Sequence, residues 1–267
     1  MINEKIMKAS LEWHLRFQSG CYFSEIKVIK GATISWSNKI KDSYWNYAQI
    51  DAPLNEVQTL IASIETFFKN KNRTPAIYVT PFTKPKLLPE ILLKSGFKPA
   101  YKDACMFYEG TVPQPKLPES FKIMTIKTEK DMETFINTFK MAYGGATLDE
   151  PYGALPPEYH ESLSDSFKKR EEGKTTWNYL GFLNGRPVSI ATVIFSDDYG
   201  CIYNVGIIPE GRRKGLGTSI SLHCVSEAMK MGVKTIFLQT EKDSYNERFY
   251  RKLGFSTKFI GEGFVLK

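Results

Sequence analysis

The residues best suited to chemistry lie in a glycine-rich, basic stretch from Val205 to Thr218. An apolar run ends at Pro209, and from Leu216 onward apolar residues recur every four positions, as on one face of a helix. Backbone N–H groups are unpaired at a helix start, and the helix dipole favours negative charge there. The glycines at 215 and 217 let a ligand approach the backbone closely. The stretch therefore predicts an anion site, and phosphate is its natural ligand.

The common nucleotide-binding motifs do not fit this stretch. An ATP-binding loop needs G-x-x-x-x-G-K-[ST], and a dinucleotide fold needs G-x-G-x-x-G with an acidic residue about 20 positions later. The stretch instead contains R-x-x-G-x-G, from Arg212 through Gly215 to Gly217, directly after Pro209. The loop is therefore expected to bind a phosphate group of another kind of ligand.

A second polar pattern lies downstream on a short predicted helix. Ser244 and Glu247 have the S-x-x-E form of a capping box, which predicts a helix that begins at Tyr245. Asn246 and Tyr250 are four residues apart, so they share one face of that helix. The helix thus presents an amide and a phenol together on a largely apolar stripe.

With both motifs, the chain resembles the GNAT (GCN5-related) N-acetyltransferase superfamily. In that family the R-x-x-G-x-G loop binds the pyrophosphate of coenzyme A. The pattern N-x-x-x-Y followed by Leu-Gly-Phe places the asparagine against the pantetheine arm and the tyrosine beside the thioester sulfur. Asn246, Tyr250 and the step Leu253, Gly254 and Phe255 fit it position by position. The resemblance covers residues 119–267 in the order of the predicted elements.

The resemblance implies an α/β fold with a mixed sheet, acetyl-CoA as co-substrate and no metal. Backbone N–H groups from Arg213 to Thr218 are expected to contact the pyrophosphate, and Arg212 and Lys214 are expected to add positive charge. The residues that the resemblance assigns to coenzyme A are Ile207, Arg212, Arg213, Lys214, Gly215, Leu216, Gly217, Thr218, Asn246 and Tyr250.

The chemistry explains why a tyrosine is needed. A thiolate leaving group has a conjugate acid of pKa about 8.5, whereas a phenol has a pKa of about 10. Tyr250 is therefore expected to be protonated at neutral pH and to act as the general acid toward the departing sulfur. The carbonyl oxygen also needs a donor as it becomes negative. Gly206 in a predicted strand indicates a bulge, and the family's donor position corresponds to the backbone N–H of Ile207.

The sequence does not identify the general base. An aliphatic amine has a pKa of about 10.4 and is protonated at pH 7, so a proton must leave before attack. Many relatives use a glutamate on the strand before the loop, or water held there, but this chain has Tyr203 and Asn204. Asp197 and Asp198, in a predicted hairpin turn, are minor candidates. His160 and His223 are expected to be surface and helix residues.

Three prolines between positions 113 and 118 divide the chain. We predict an N-terminal domain at 1–108, a linker at 109–118 and a catalytic domain at 119–267. Asn-Gly at 184–185 predicts a tight hairpin. The predicted helices cover 6–17, 54–68, a segment ending at 94, 131–141, 158–170, 216–231 and 245–252. The predicted strands cover 32–36, 44–50, 76–79, a run after 97, 122–126, the hairpin, 201–208, 235–239 and a closing pair.

The ends of the two halves resemble each other, which indicates a duplication. When Gly96 is aligned with Gly254, Leu88 and Leu92 occupy the positions of Asn246 and Tyr250. Before the main helix of the first half stands Asp51-Ala52-Pro53, interpreted as an acidic N-cap followed by proline. The first half is therefore predicted to be a degenerate GNAT-like domain that helps to shape the acceptor pocket. Four of its aromatic residues could line that pocket, although aromatic residues in strands more commonly belong to the core. They are Trp36, Tyr44, Trp45 and Tyr47.

Composition sets limits on partners. The formal charge is +7, and residues 1–118 hold 16 Lys and Arg against 10 acidic residues. No aromatic-basic signature of RNA binding is present, so nucleic acid is an unlikely partner. The sequence has no apolar run of about 20 residues and no signal peptide, and its four cysteines show no C-x-x-C spacing. A cytoplasmic monomer or homodimer without membrane contact is expected.

Three functions are consistent with these features. The first is an acetyltransferase for a small-molecule primary amine, and the second is a transferase for a protein lysine or N-terminus. The third is a noncatalytic acyl-CoA sensor, which the intact Asn246 and Tyr250 disfavour. The 143–157 segment matches the loop that borders the acceptor in the family, and its two carboxylates and one aromatic ring suit a small cationic amine: Asp149, Glu150 and Tyr152.

Overall fold

The computed structural model describes residues 2–113, 117–145, 154–169 and 175–266. In these residues the helices are α1 (Glu4–Gln18), α2 (Val57–Asn70), α3 (Leu88–Lys94), α4 (Glu129–Ala142), α5 (Pro157–Lys168), α6 (Leu216–Lys230) and α7 (Tyr245–Lys252). The strands are β1 (Glu25–Ile29), β2 (Ala32–Trp36), β3 (Tyr47–Ile50), β4 (Ala76–Val79), β5 (Phe97–Tyr108), β6 (Phe121–Thr125), β7 (Thr175–Leu183), β8 (Arg186–Ser196), β9 (Tyr199–Ile207), β10 (Thr235–Glu241) and β11 (Phe255–Leu266). No helix among them is long and apolar enough to span a bilayer.

Most predicted elements are present with small shifts at their ends. The Asn184-Gly185 hairpin joins β7 to β8, and both residues have positive φ, 51° and 76°, as the mirror-image hairpin turn requires. The closing pair of strands was wrong, because residues 255–266 form the single strand β11. Strand β1 was not predicted, since its residues are largely exposed and lack an apolar pattern.

The predicted strand over 44–50 was wrong in its first half. Residues 43–45 form a 3₁₀ turn, whose first N–H groups are capped by the Asp42 carboxylate at 3.0 Å from Tyr44 N. The Asn46 amide then donates to the carbonyls of Ile40 and Asp42, at 2.9 and 2.7 Å. These side-chain bonds compete with a strand ladder, so β3 begins at Tyr47.

The described residues form two compact units that are not contiguous in sequence. Unit 1 contains residues 1–106, 239–247 and 257–267, and unit 2 contains residues 107–238 and 248–256. The last part of the chain therefore alternates between the units. As a result, the final strand contributes most of its length to unit 1, although it follows the second half in sequence.

Unit 1 is built on a mixed sheet. Strands β1, β2 and β3 form an antiparallel meander, and β4 lies parallel to β3 with Ala48 opposite Ile77. Strand β11 pairs antiparallel with β4, and β5 follows on its other side. Helix α2 buries a stripe spaced for one helix face against this sheet: Val57, Ile61, Ile64 and Phe68.

The strands of unit 2 also pair in both directions. Strands β6, β7, β8 and β9 pair antiparallel in sequence order, and β10 lies parallel to β9. Helix α6 connects β9 to β10 and buries its apolar face, including Leu216, Ile220 and Cys224. In each unit, a strand that pairs antiparallel with its predecessor is followed by a helix and then by a strand that lies parallel to the first. These elements are β3, α2 and β4 in unit 1 and β9, α6 and β10 in unit 2. The mixed α/β fold class is confirmed.

The counterparts of the site residues in unit 1 are packing residues. Leu88 and Leu92 are fully buried in its core. The interpretation of Asp51 as an N-cap was wrong, because α2 begins at Val57 after a 3₁₀ turn. Glu56 precedes the helix instead, and its carboxylate pairs with Lys30 at 3.0 Å. The start of α2 therefore carries an acidic side chain where α6 has glycines.

Candidate active site

Strand β9 contains the bulge that the sequence indicated. Between the pairs Ile190–Gly206 and Thr192–Tyr203, β8 has one residue and β9 has two. Asn204 in the bulge has a positive φ of 54°. Gly206 follows directly, and a Cβ there would lie 2.9 Å from the side chains of Ala142 and Tyr143. The glycine is thus required for the close approach of α4, while the asparagine accommodates the left-handed backbone.

At the end of β9, the backbone N–H of Ile207 points away from β8. Ile208 N donates to Val188 O at 3.0 Å, so the backbone groups of Ile208 point toward β8. Neighbouring residues of a strand alternate, and Ile207 therefore directs its N–H to the opposite side. On that side the ladder between β9 and β10 covers only three pairs and ends at Cys201–Phe237. The paired part of the two strands therefore ends before Ile207, whose N–H is not part of this ladder.

The glycine-rich loop leads into α6 without a side-chain cap. Gly215 is the N-cap residue, with a left-handed φ of 76°, and it makes no side-chain cap bond. The first intrahelical bond runs from Ser219 N to Gly215 O at 3.0 Å. The N–H groups of residues 216–218 therefore precede the hydrogen-bonded part of the helix. Such a helix start can bind an anion.

The side chains of the loop divide into anchors and exposed groups. Leu216 is buried in an apolar cluster with Val188 and Ile208, which fixes the direction of the helix start. Four residues of the loop and helix start are exposed: Arg213, Lys214, Gly215 and Thr218.

Arg212 has a structural role that the sequence did not reveal. Its Nε donates to Ile207 O and its Nη2 to Ala142 O, both at 3.1 Å. The guanidinium therefore joins the end of β9 to the last carbonyl region of α4. Sequence reasoning assigned only a charge to this residue, because carbonyl partners distant in sequence leave no local signal.

Helix α7 carries the second predicted motif. Its capping box differs in one partner: Glu247 N donates to the Ser244 hydroxyl at 3.1 Å, but the Glu247 carboxylate accepts from Asp243 N at 2.6 Å. Gly254 follows the end of the helix with a φ of 99°. Asn246 is half-buried in its first turn, within unit 1.

Tyr250 lies on the part of α7 that belongs to unit 2. Its half-buried ring packs edge-on against Phe249 and Phe255, with centroids 5.1 and 5.7 Å apart. A Cβ added to Gly217 would lie 3.4 Å from the Phe249 ring. The residue before Tyr250 thus packs against the first turn of α6. Two motifs separated in sequence are neighbours at the helix start.

The groups beside the bulge are neutral. Asn204 Nδ2 donates to the Thr192 hydroxyl at 3.2 Å, and that hydroxyl donates to Asn178 Oδ1 at 2.7 Å. Asp197 and Asp198 form the predicted turn, at the far end of β9, which is about 26 Å from Ile207 for eight residues of strand. Asp198 pairs there with Lys234 at 2.9 Å. Neither aspartate is placed to serve this site.

The two histidines on helices were expected to be helix and surface residues. His223 packs edge-on against Tyr179 with centroids 4.8 Å apart, and burial lowers its pKa. Burial also lowers the pKa of His160 on α5. The predicted acceptor-loop residues Asp149, Glu150 and Tyr152 lie outside the described residues. Within the described ranges, no group of three His, Cys, Asp or Glu is arranged to hold a metal.

Comparison with known proteins finds similarity to acetyltransferases. Residues 141–255 match the model of the acetyltransferase (GNAT) family. The ribosomal protein bS18-alanine N-acetyltransferase of Escherichia coli (strain K12) is 27% identical over 114 residues, covering 40% of this chain and 77% of that protein. Mycothiol acetyltransferase of Saccharomonospora viridis is 27% identical over 160 residues, covering 54% and 49%. A solved GCN5-related N-acetyltransferase from Kribbella flavida has a TM-score of 0.71 at 16% identity, covering 99% and 96%.

The strand ladder that ends before Ile207, the uncapped helix start and these matches define an acyl-CoA-dependent N-acetyltransferase. Residues 141–255 thus resemble the GNAT family, and the fold of the chain resembles that of a solved GCN5-related N-acetyltransferase. The structural match extends over both units, and the order of elements repeats from one unit to the other. Two GNAT-like halves in tandem account for both observations.

Proposed function

We propose that the chain transfers an acetyl group from acetyl-CoA to the primary amine of a small molecule, by direct attack in a ternary complex. The nitrogen lone pair forms a bond to the thioester carbonyl carbon, and the bond from that carbon to sulfur breaks. The amine loses a proton, and the coenzyme A thiolate gains one. The reaction therefore needs an anion site, a donor to the carbonyl oxygen and an acid near the sulfur.

One observation carries the proposal: an uncapped helix start and a tyrosine-bearing helix are packed against each other. The N–H groups of residues 216–218 would bind the pyrophosphate, with Arg213 and Lys214 exposed beside them. Each charge near a helix end contributes only about 0.3 to 1 kcal/mol, so affinity requires several donors together. Because Arg212 already donates to two backbone carbonyls, we assign it mainly to holding the loop.

The reacting groups would be supplied by β9 and α7. Ile207 N–H points away from β8, beyond the end of the ladder between β9 and β10, where it would stabilise the developing oxyanion. The Tyr250 hydroxyl would donate its proton to the departing sulfur. Asn246, one turn earlier on α7, would bind the pantetheine arm. The linked side chains beside the bulge, Asn204, Thr192 and Asn178, are neutral, so we assign the removal of the amine proton to water.

Each sequence relative supports a different acceptor. The mycothiol acetyltransferase supports a small molecule, and the ribosomal protein bS18-alanine enzyme supports a protein N-terminus as the alternative. Release of the coenzyme A thiol should be measured with acetyl-CoA and two panels, one of primary amines and one of peptides with free N-termini or lysines. Faster release with an amine than with any peptide supports the proposal. Faster release with a peptide supports the alternative, and tight acetyl-CoA binding without turnover indicates a sensor.

We further propose that residues 119–267 form the catalytic domain and residues 1–108 a degenerate GNAT-like domain, joined by the 109–118 linker. Fully buried leucines at the two motif positions of unit 1 support this division of roles. The acidic start of α2 supports it too, since Glu56 repels phosphate. We expect the protein to act in the cytoplasm, as a monomer or homodimer.

A further inference from the structure

Unit 1 contains a buried carboxylate that the reaction above does not use. Asp103 on β5 is 4% exposed, and its Oδ2 accepts a hydrogen bond from the Tyr78 hydroxyl at 3.1 Å. Tyr44 also donates to it. Among the residues that the structure describes, no lysine or arginine pairs with Asp103, and the charge that acts on it is that of Glu241, of the same sign. Buried carboxylates normally have a cationic partner, and this one has only phenols.

Aromatic rings line the same side of the sheet. Tyr44 and Tyr101 have centroids 5.2 Å apart, and Tyr78 and Tyr101 stack at 6.3 Å. The rings lie flat on β11 because Gly261 and Gly263 have no side chains: a Cβ at either would collide with Tyr78 or Tyr101. The faces of tyrosine rings attract cations. The cluster therefore combines a carboxylate with several π faces.

The cluster reaches the surface through its outer members. Tyr44 and Tyr101 are half-buried and Glu241 is exposed. Gln239 Nε2 donates to the Tyr78 hydroxyl at 3.4 Å. Gln239 and Glu241 lie at the end of β10, the strand that begins beside β9, so both halves of the sequence build this cluster.

We propose that the Asp103 cluster binds the ammonium group of a cationic amine. An ammonium would supply the positive charge that Asp103 lacks and would lie against the rings of Tyr44 and Tyr101. The second carboxylate, Glu241, favours a molecule with more than one amine.

Direct binding to the full chain tests the inference without turnover. The probes are 1,4-diaminobutane and, as an uncharged analogue of similar length, 1,4-butanediol, each titrated by calorimetry. The wild-type protein should bind the diamine saturably and the diol at least about tenfold more weakly. Asp103→Asn should weaken diamine binding about tenfold or more, and Glu241→Gln should weaken it less. Acetyl-CoA affinity should not change in either variant.

Glu262→Gln is the matched control. Glu262 lies on β11 between the two glycines, on the opposite face of the strand, and pairs with Lys102 at 3.1 Å. This variant should bind the diamine like the wild type. Because Asp103 is buried, Tyr44→Phe provides a second test at a half-buried position and should also weaken binding, while thermal unfolding verifies that each variant is folded.

Equal affinity for diamine and diol, absent diamine binding, or an unchanged affinity in folded Asp103→Asn would overturn the inference. Acetyl transfer to any acceptor would then leave the proposed function standing. Conversely, diamine binding that depends on Asp103, without transfer to any acceptor, would support the binding site and contradict the proposed function.

Discussion

At the scale of single residues, the proposed chemical role of the Tyr250 hydroxyl can be tested separately from the packing of its ring. Its ring contacts Phe249 and Phe255, while its hydroxyl is assigned to a sulfur that becomes charged only as the bond breaks. Tyr250→Phe keeps the ring contacts and should lower kcat about tenfold or more, with acetyl-CoA affinity little changed. Tyr245→Phe, exposed on the same helix, is the control and should be neutral. An undiminished kcat would leave Tyr250 a packing residue.

Asp103 should be visible in the pH dependence of stability. Burial raises the pKa of its carboxyl from 3.8 to about 7, against the hydrogen bonds from Tyr78 and Tyr44. Burial also raises the pKa of Tyr78 and of the neighbouring Cys105 thiol, so both stay neutral in this range. Between pH 4 and 7 the folded chain therefore keeps a proton that the unfolded chain has lost, and the free energy of unfolding falls as pH rises.

Asp103→Asn removes this proton and should flatten that slope. The variant should gain stability relative to the wild type as pH rises from 4 to 7, by on the order of 3 kcal/mol, and the difference should stay constant above pH 7. Urea unfolding at several pH values measures it. A constant difference from pH 4 to 8 would mean that Asp103 is ionised in the folded protein throughout.

At the scale of elements, the glycine loop and its helix were predictable because their signals are local. The Asn184-Gly185 turn has the positive φ values that its sequence context indicated. What could not be predicted depends on distant partners: the Arg212 bonds to Ile207 and Ala142, the asparagine rather than the glycine in the bulge, and the Asp103 cluster. A lone aspartate before the apolar run Ala104–Phe107 was the signal available for that cluster.

The strand β11 supports a prediction at the same scale. Residues 257–266 pair with β4 and lie next to β5, so they are an interior strand of unit 1. Removing residues 257–267 would leave two strand edges unpaired and uncover Phe264 in the core. The truncated chain should lose the thermal transition of unit 1 and aggregate. A truncated chain with wild-type unfolding would show that β11 is dispensable for unit 1.

At the scale of the whole molecule, two units with the same order of elements differ at the start of the main helix and at the motif positions. Unit 2 has the uncapped, glycine-flanked start of α6, and unit 1 has an acidic start of α2 and buried leucines at the motif positions. Donor binding and acceptor recognition are therefore assigned to different sets of residues. Aromatic changes at Tyr44 should alter acceptor KM and leave acetyl-CoA affinity unchanged, and the reverse result would contradict this division.

The central claim is that one acetyl-CoA binds at the start of α6, and titration calorimetry tests it most directly. Gly215→Asp adds a negative charge and a Cβ at a φ of 76°, and Gly185→Asp adds both at the same φ in an exposed hairpin turn. The wild type and Gly185→Asp should bind acetyl-CoA with a stoichiometry near one, and Gly215→Asp should bind at least about tenfold more weakly. A stoichiometry of two, or an unchanged affinity in Gly215→Asp, would contradict the account.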